Sequence, residues 1–196
     1  MNAPFSPDLH DEIAWGPNGR ASDVPPKPGG RPNPLEDDLA PNKTDIAKHL
    51  YALFTPAFVQ PYPDSWIEIA YGNPAVDEGK PNEAKNFSPF KMEQAIAFAV
   101  EKNRAGFNIY VGAALRHGEQ SHSGRASGHH VLAASHAWSE YEKAGDDERI
   151  AAILKGKAFV PAIVLTTGTV PLPRRHLYFK LDSSAPPDDV RPLTRR

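Results

Sequence analysis

The sequence predicts an α+β fold, a mixed sheet covered by helices on one side with an open polar face on the other. Two patterns lead to that expectation. Four or five segments read as strands, and they are interleaved with three that read as helices. Each alternating strand pairs an aliphatic face with a polar one, as a half-covered sheet requires. At 196 residues the chain is long enough for one domain with its own core, and short for two.

Residues 1–43 hold nine of the 21 prolines, several glycines and few aliphatic side chains. Such a stretch buries too little apolar surface to offset the entropy of ordering, so a flexible tail is expected there. The domain is expected over residues 44–182, followed by a second flexible tail over 183–196. Thr44 is placed to cap a helix over residues 45–54, whose apolar stripe is Ile46, Leu50, Leu53 and Phe54. Pro56, Pro61 and Pro63 then stop it. Trp66-Ile67-Glu68-Ile69-Ala70-Tyr71 reads as a strand with Ile67, Ile69 and Tyr71 on one side and Glu68 on the other. Residues 73–85 read as a polar loop. Ser88 and Pro89 open a second helix, with Met92, Ile96, Ala99 and Val100 as its buried stripe and Gly106 at its end.

Residues 108–115 read as a central strand, and residues 116–130 as a glycine-rich polar loop that carries Arg116 and Arg125. Residues 131–142 admit two readings, because alanine and leucine favour a helix while the neighbouring units favour a strand. The difference is chemical. On a strand Glu140 and Glu142 share a face, whereas on a helix they lie about 200° apart. Asp146 and Asp147 open a short helix through Ile150, Ile153 and Leu154. Residues 162–166 form an apolar strand. After a turn, Leu177, Phe179 and Leu181 alternate with His176, Tyr178 and Lys180. The open face is expected to carry Glu68, Asn108, Tyr110, His176 and Lys180.

Composition excludes several classes. The net charge of -2 advertises no polycationic surface, so any nucleic-acid contact must be a local patch. No cysteine is present, which removes disulfides, thiolate zinc sites and thiol nucleophiles. No signal-peptide pattern and no long apolar run occurs, so a cytoplasmic protein with no membrane partner is expected. Walker-type and G-x-G-x-x-G loops and a nucleophile elbow are likewise missing from the sequence.

Glu140 and Glu142 are the strongest candidates for chemistry. Two acids one strand-repeat apart can anchor a hard divalent cation and leave positions for phosphate and water. His176, with Arg174, Arg175 and Lys180 near it in sequence, has the composition of a triphosphate site, since arginine grips phosphate with a two-pronged fork. Arg116 and Arg125 are placed to close over the same phosphates. A second reading starts from His117, His122, His129, His130 and His136, which crowd into twenty residues and suit a transition metal by type but not by spacing.

The order of motifs resembles the primase-polymerase domains of the archaeo-eukaryotic primase superfamily, specifically the RepB-like primases of phages, prophages and plasmids. The resemblance covers residues 66–182. It rests on Trp66-Ile67-Glu68-Ile69, on Asn108-Ile109-Tyr110-Val111-Gly112-Ala113-Ala114-Leu115-Arg116 and on Gly124-Arg125-Ala126-Ser127. It continues through Ala137-Trp138-Ser139-Glu140-Tyr141-Glu142, Leu165-Thr166-Thr167-Gly168 and His176-Leu177-Tyr178-Phe179-Lys180-Leu181. The resemblance implies metal-dependent nucleotidyl transfer in mobile-element DNA replication, with Mg2+ or Mn2+ as cofactor. It implies a nucleoside triphosphate, a single-stranded DNA template and a replicative helicase as partners. In that family an acidic pair holds the metals and a histidine meets the nucleotide's phosphates, roles that fall here on Glu140, Glu142 and His176. The pair is glutamate twice where the family has aspartate first, and the only acids beyond Asp182 are Asp188 and Asp189. The alternatives are a degenerate or truncated nucleotide- or nucleic-acid-binding module, and a structural phage or prophage protein.

Overall fold

The computed structural model describes residues 13–14, 40–76, 80–117, 126, 128–155, 160–168 and 174–185. Its elements are β1 (Ile13–Ala14), α1 (Lys43–Leu53), α2 (Pro56–Val59), β2 (Ile67–Gly72), β3 (Glu83–Phe87), α3 (Met92–Arg104), β4 (Asn108–Val111) and β5 (Leu115–Arg116). They continue with β6 (Val131–Tyr141), α4 (Asp146–Lys155), β7 (Ile163–Gly168) and β8 (Arg174–Ala185). The class is α+β. One sheet runs β3-β2-β4 and the other β1-β7-β8-β6-β5. Trp66 and Arg116 join them by exchanging backbone hydrogen bonds of 2.9 Å, giving a curled half-barrel. Its strand pairs are antiparallel except β1 with β7, and β1 lies within the stretch expected to be a tail.

Local chemistry accounts for the element ends. Asn42, rather than Thr44, caps α1: its side-chain oxygen accepts from the backbone N–H groups of Thr44 and Asp45 at 3.0 and 3.3 Å. Pro56 does not simply stop the chain but starts α2, with Thr55 as its cap. Ser88 and Pro89 open a single 3-10 turn before α3, and Gly106 ends that helix at a φ of 87°. Residues 83–87 form β3 along the edge of β2, taking in the last three residues of the stretch 73–85 expected as loop. The run 108–116 is broken into β4 and β5 by a bend at Ala113 and Ala114, just after Gly112, whose N–H still reaches Glu68 O at 3.1 Å.

The main core lies between the sheets and α1–α3. Leu50, Ile67, Ile69, Ile96 and Leu115 are fully buried in it, beside Ile163, Leu165 and Tyr178 from the second sheet. The expected open polar face holds only in part: Tyr110 and Lys180 are exposed, Asn108 and His176 half-buried, and Glu68 buried. Tyr178 and half-buried Trp138 turn toward α1, while the aliphatic side of β8 meets α4 through Leu177, Tyr141 and Ile150. Both faces of β8 carry large apolar bodies, since a tyrosine ring buries as well as a leucine, and so each is covered around Leu177 and Tyr178. Glu68 is likewise buried rather than open. Among the described residues no helix is long and apolar enough to cross a membrane.

Candidate functional site

The region 131–142 is a strand almost to its end, so the two glutamates keep a period-two relation. Cross-strand pairing sets Glu140 of β6 directly against His176 of β8. Glu142 lies one residue beyond the end of β6, where its N–H donates to Asp146 Oδ2 at 2.8 Å. Both glutamates are exposed. Both carboxylates also act on the half-buried His176 imidazole. Burial lowers its proton affinity most, Glu140 and Glu142 raise it, and Arg174 lowers it again, with the net direction down. His176 therefore stands neutral near pH 7, with one ring N–H to donate. Tyr178, two residues on, is held protonated by burial and then by the Glu140 charge.

The basic residues divide. Arg174 shares the face of His176, and its buried Nε has no hydrogen-bond partner among the described residues. Arg175 points the other way: it is paired with Tyr141 across the sheet and forms an ion pair with Asp147 of α4. Lys180 is exposed and sits opposite His136, four residues from His176, which is about 13 Å along a strand. Arg116 is corrected outright. It pairs with Val131, nine residues before Glu140, placing it about 30 Å from the acidic pair. Its guanidinium is buried against fully buried Glu68 at 3.6 Å, and Glu68 Oε2 also accepts the Ala126 N–H at 2.6 Å. Gly112 makes room for it, since a Cβ there would come within 3.1 Å of Arg116 Nη2. Sequence proximity to a glycine-rich polar stretch misled because β5 carries Arg116 inward, where a buried acid compensates its charge. Arg125 lies outside the described residues.

Glu140 and Glu142 offer carboxylate oxygens only. Among the described residues no group of three or more histidines and acids is close enough to hold a metal ion. That donor set fits a hard cation arriving with phosphate oxygens of its own, which needs one or two protein carboxylates, and not a caged resident ion. The histidine-rich stretch does not assemble either. His117 and His130 rings stand 6.4 Å apart, His136 is buried in β6, and His122 lies outside the described residues.

Two side chains were not anticipated near the site. His49 of α1 is 1% exposed and meets the Tyr178 ring edge-on at 5.4 Å. Burial, then His176 and His136, lower its pKa to about 3. Its spacing was a readable signal, since it lies three residues after Ile46 and four before Leu53, inside the apolar stripe. His136 is lowered to about 4 by burial and by Lys180. Compared with protein-family models, with curated proteins and with solved structures, the chain matches none.

Proposed function

We propose that this chain is a primase-polymerase-type nucleotidyltransferase domain of mobile-element DNA replication, which binds a nucleoside triphosphate with Mg2+ or Mn2+ and a single-stranded DNA template. The juxtaposition of Glu140 and His176 across β6 and β8, with Glu142 and Arg174 beside them, carries the proposal. The order of sequence motifs supports it. Glu140 and Glu142 would hold the cation, which supplies neutralisation of the charge developing on the transferred phosphoryl group. His176, neutral, donates a ring N–H to a phosphate oxygen. Arg174 brings a fixed positive charge whose buried Nε has no acceptor among the described residues. Exposure of both glutamates leaves the edge open to a nucleotide and to a strand.

A second reading, binding without turnover, is favoured by the count of ligands. Two carboxylates suffice to seat a cation–triphosphate complex, but no third acid joins them among the described residues. Incorporation of labelled nucleotide on a single-stranded template, with Mn2+ or Mg2+, separates the two. Transferase function predicts product from the natural chain and a loss of at least about a hundredfold in Glu140→Gln. Product formed equally well by Glu140→Gln would remove the proposed site.

A further inference from the structure

A cleft of ≈ 360 Å³ lies between α2 and the middle of β6 and β8, around Ser135, His136 and Lys180. That volume falls in the ~300–1,000 Å³ range of small-molecule sites. Its walls are largely apolar, with Phe58, Pro61, Ile163 and Leu181, and Ser135, His136 and Lys180 bring polar groups to the strand side.

Hydrogen bonding decides which proton His136 carries. Ser135 Oγ lies 2.8 Å from the backbone oxygen of Leu53, which can only accept, so the single hydroxyl hydrogen goes there. Toward His136 Nδ1, at 2.9 Å, Ser135 must therefore accept, and Nδ1 bears the ring hydrogen. In a neutral imidazole this leaves Nε2 as a bare acceptor, and burial and the Lys180 charge keep the ring neutral. Nε2 makes no hydrogen bond among the described residues. Lys180 faces His136 directly across the two strands, so their Cβ atoms are about 5 Å apart. Its ammonium makes no hydrogen bond or ion pair among the described residues. An acceptor thus stands beside a cationic donor at the edge of an apolar slot.

We propose that this cleft binds a flat heterocycle with a lactam edge, an N–H beside a carbonyl oxygen, His136 Nε2 accepting the N–H and Lys180 donating to the carbonyl. Phe58, Pro61 and Ile163 supply apolar surface for the ring faces, which gives affinity without specificity. Uracil, thymine and guanine carry such an edge, either as free nucleosides or as bases of a single strand. The site is separate from the acidic pair and needs neither phosphate nor divalent cation.

Titration of the full chain with uridine in the presence of a chelator, followed by the imidazole resonances of His136, tests this without engaging the acidic pair. Saturable binding is expected, with 3-methyluridine, which lacks the N–H, at least about tenfold weaker. Lys180→Met should weaken uridine several-fold, and His136→Phe should abolish the preference for uridine over its methylated analogue. An oligothymidylate that displaces uridine at a tenfold or more lower Kd assigns the cleft to a base within a strand. Displacement at an equal or higher Kd assigns it to the free nucleoside. Equal affinity for uridine and 3-methyluridine, or no saturation by uridine at millimolar concentration, overturns the proposal. The comparison of the two nucleosides uses the unaltered protein, so a misfolded variant does not obscure it.

Discussion

His49, His136 and Tyr178 form a buried polar seam behind the candidate site, and its histidines make the fold sensitive to acid. The folded-state pKa values of about 3 and about 4 lie below the ~6.5 of a free imidazole, so the folded protein binds fewer protons than the unfolded chain. Their contribution to stability is whole above pH ~6.5 and is lost as pH falls toward those values, at about 1.4 kcal/mol per pH unit for each. His49→Leu should flatten the stability curve between pH 6 and pH 4 by about one such slope, read from urea denaturation at several pH values. An unchanged slope would mean that His49 is not held neutral. The second residue-scale prediction concerns the buried pair. Arg116→Ala removes the guanidinium 3.6 Å from Glu68, which is 0% exposed, and should cost about 3–5 kcal/mol, measured the same way. A cost under about 1 kcal/mol would show that Glu68 is not buried as a charge. Glu140 and Glu142 could be singled out because period two is a local rule, whereas the pairing of Glu140 with His176 joins two strands far apart in sequence and was not readable. Nor was the place of Arg116, since its partner Glu68 lies 48 residues earlier, joined to it through β2.

Elements were legible where one face alone was apolar. The stripes of α1 and α3 followed from spacing, and Ile46, Leu50, Met92 and Ile96 are buried as expected. β3 was missed because Glu83, Ala84, Lys85 and Asn86 have low strand propensity, and only Phe87 is buried. Pairing with β2 supplies what propensity does not. The stretch 131–142 was undecided for a related reason, since its alanines lean toward a helix, and pairing of β6 with both β8 and β5 overrides them. Helix α4 was expected, but not its place over the second face of β8, because Leu177 and Tyr178 are both bulky enough to face a helix. Ile150→Ala tests that placement. It should destabilise by about 2–4 kcal/mol through the lost contact with Tyr141 and Leu177, seen as a lower denaturation midpoint with an unchanged slope. A change below about 0.5 kcal/mol would detach α4 from the sheet.

At the scale of the whole molecule, the half-barrel brings the end of β6 and the start of β8 together at one edge. It places the Glu68–Arg116 pair at the other end of β6. The α+β class was readable from alternating segments, whereas the division into two sheets was not, because the bend after Gly112 and the Trp66–Arg116 bridge depend on contacts far apart in sequence. With a net charge of -2, DNA binding would rest on a local patch, so affinity should fall with salt along a shallow slope, and Arg174→Ala should make it shallower still. A filter-binding series at increasing salt reads this, and identical slopes would take Arg174 off the phosphate path. The most direct test of the central claim is calorimetric titration with a deoxynucleoside triphosphate and Mn2+. It should be made on the natural chain, on the Glu140→Ala/Glu142→Ala double variant and on His176→Ala. Binding in the natural chain and its loss by at least about tenfold in both variants is the predicted result. Equal heats and affinities in all three proteins, or none in the folded natural chain, would contradict a nucleotide site at the Glu140–His176 edge.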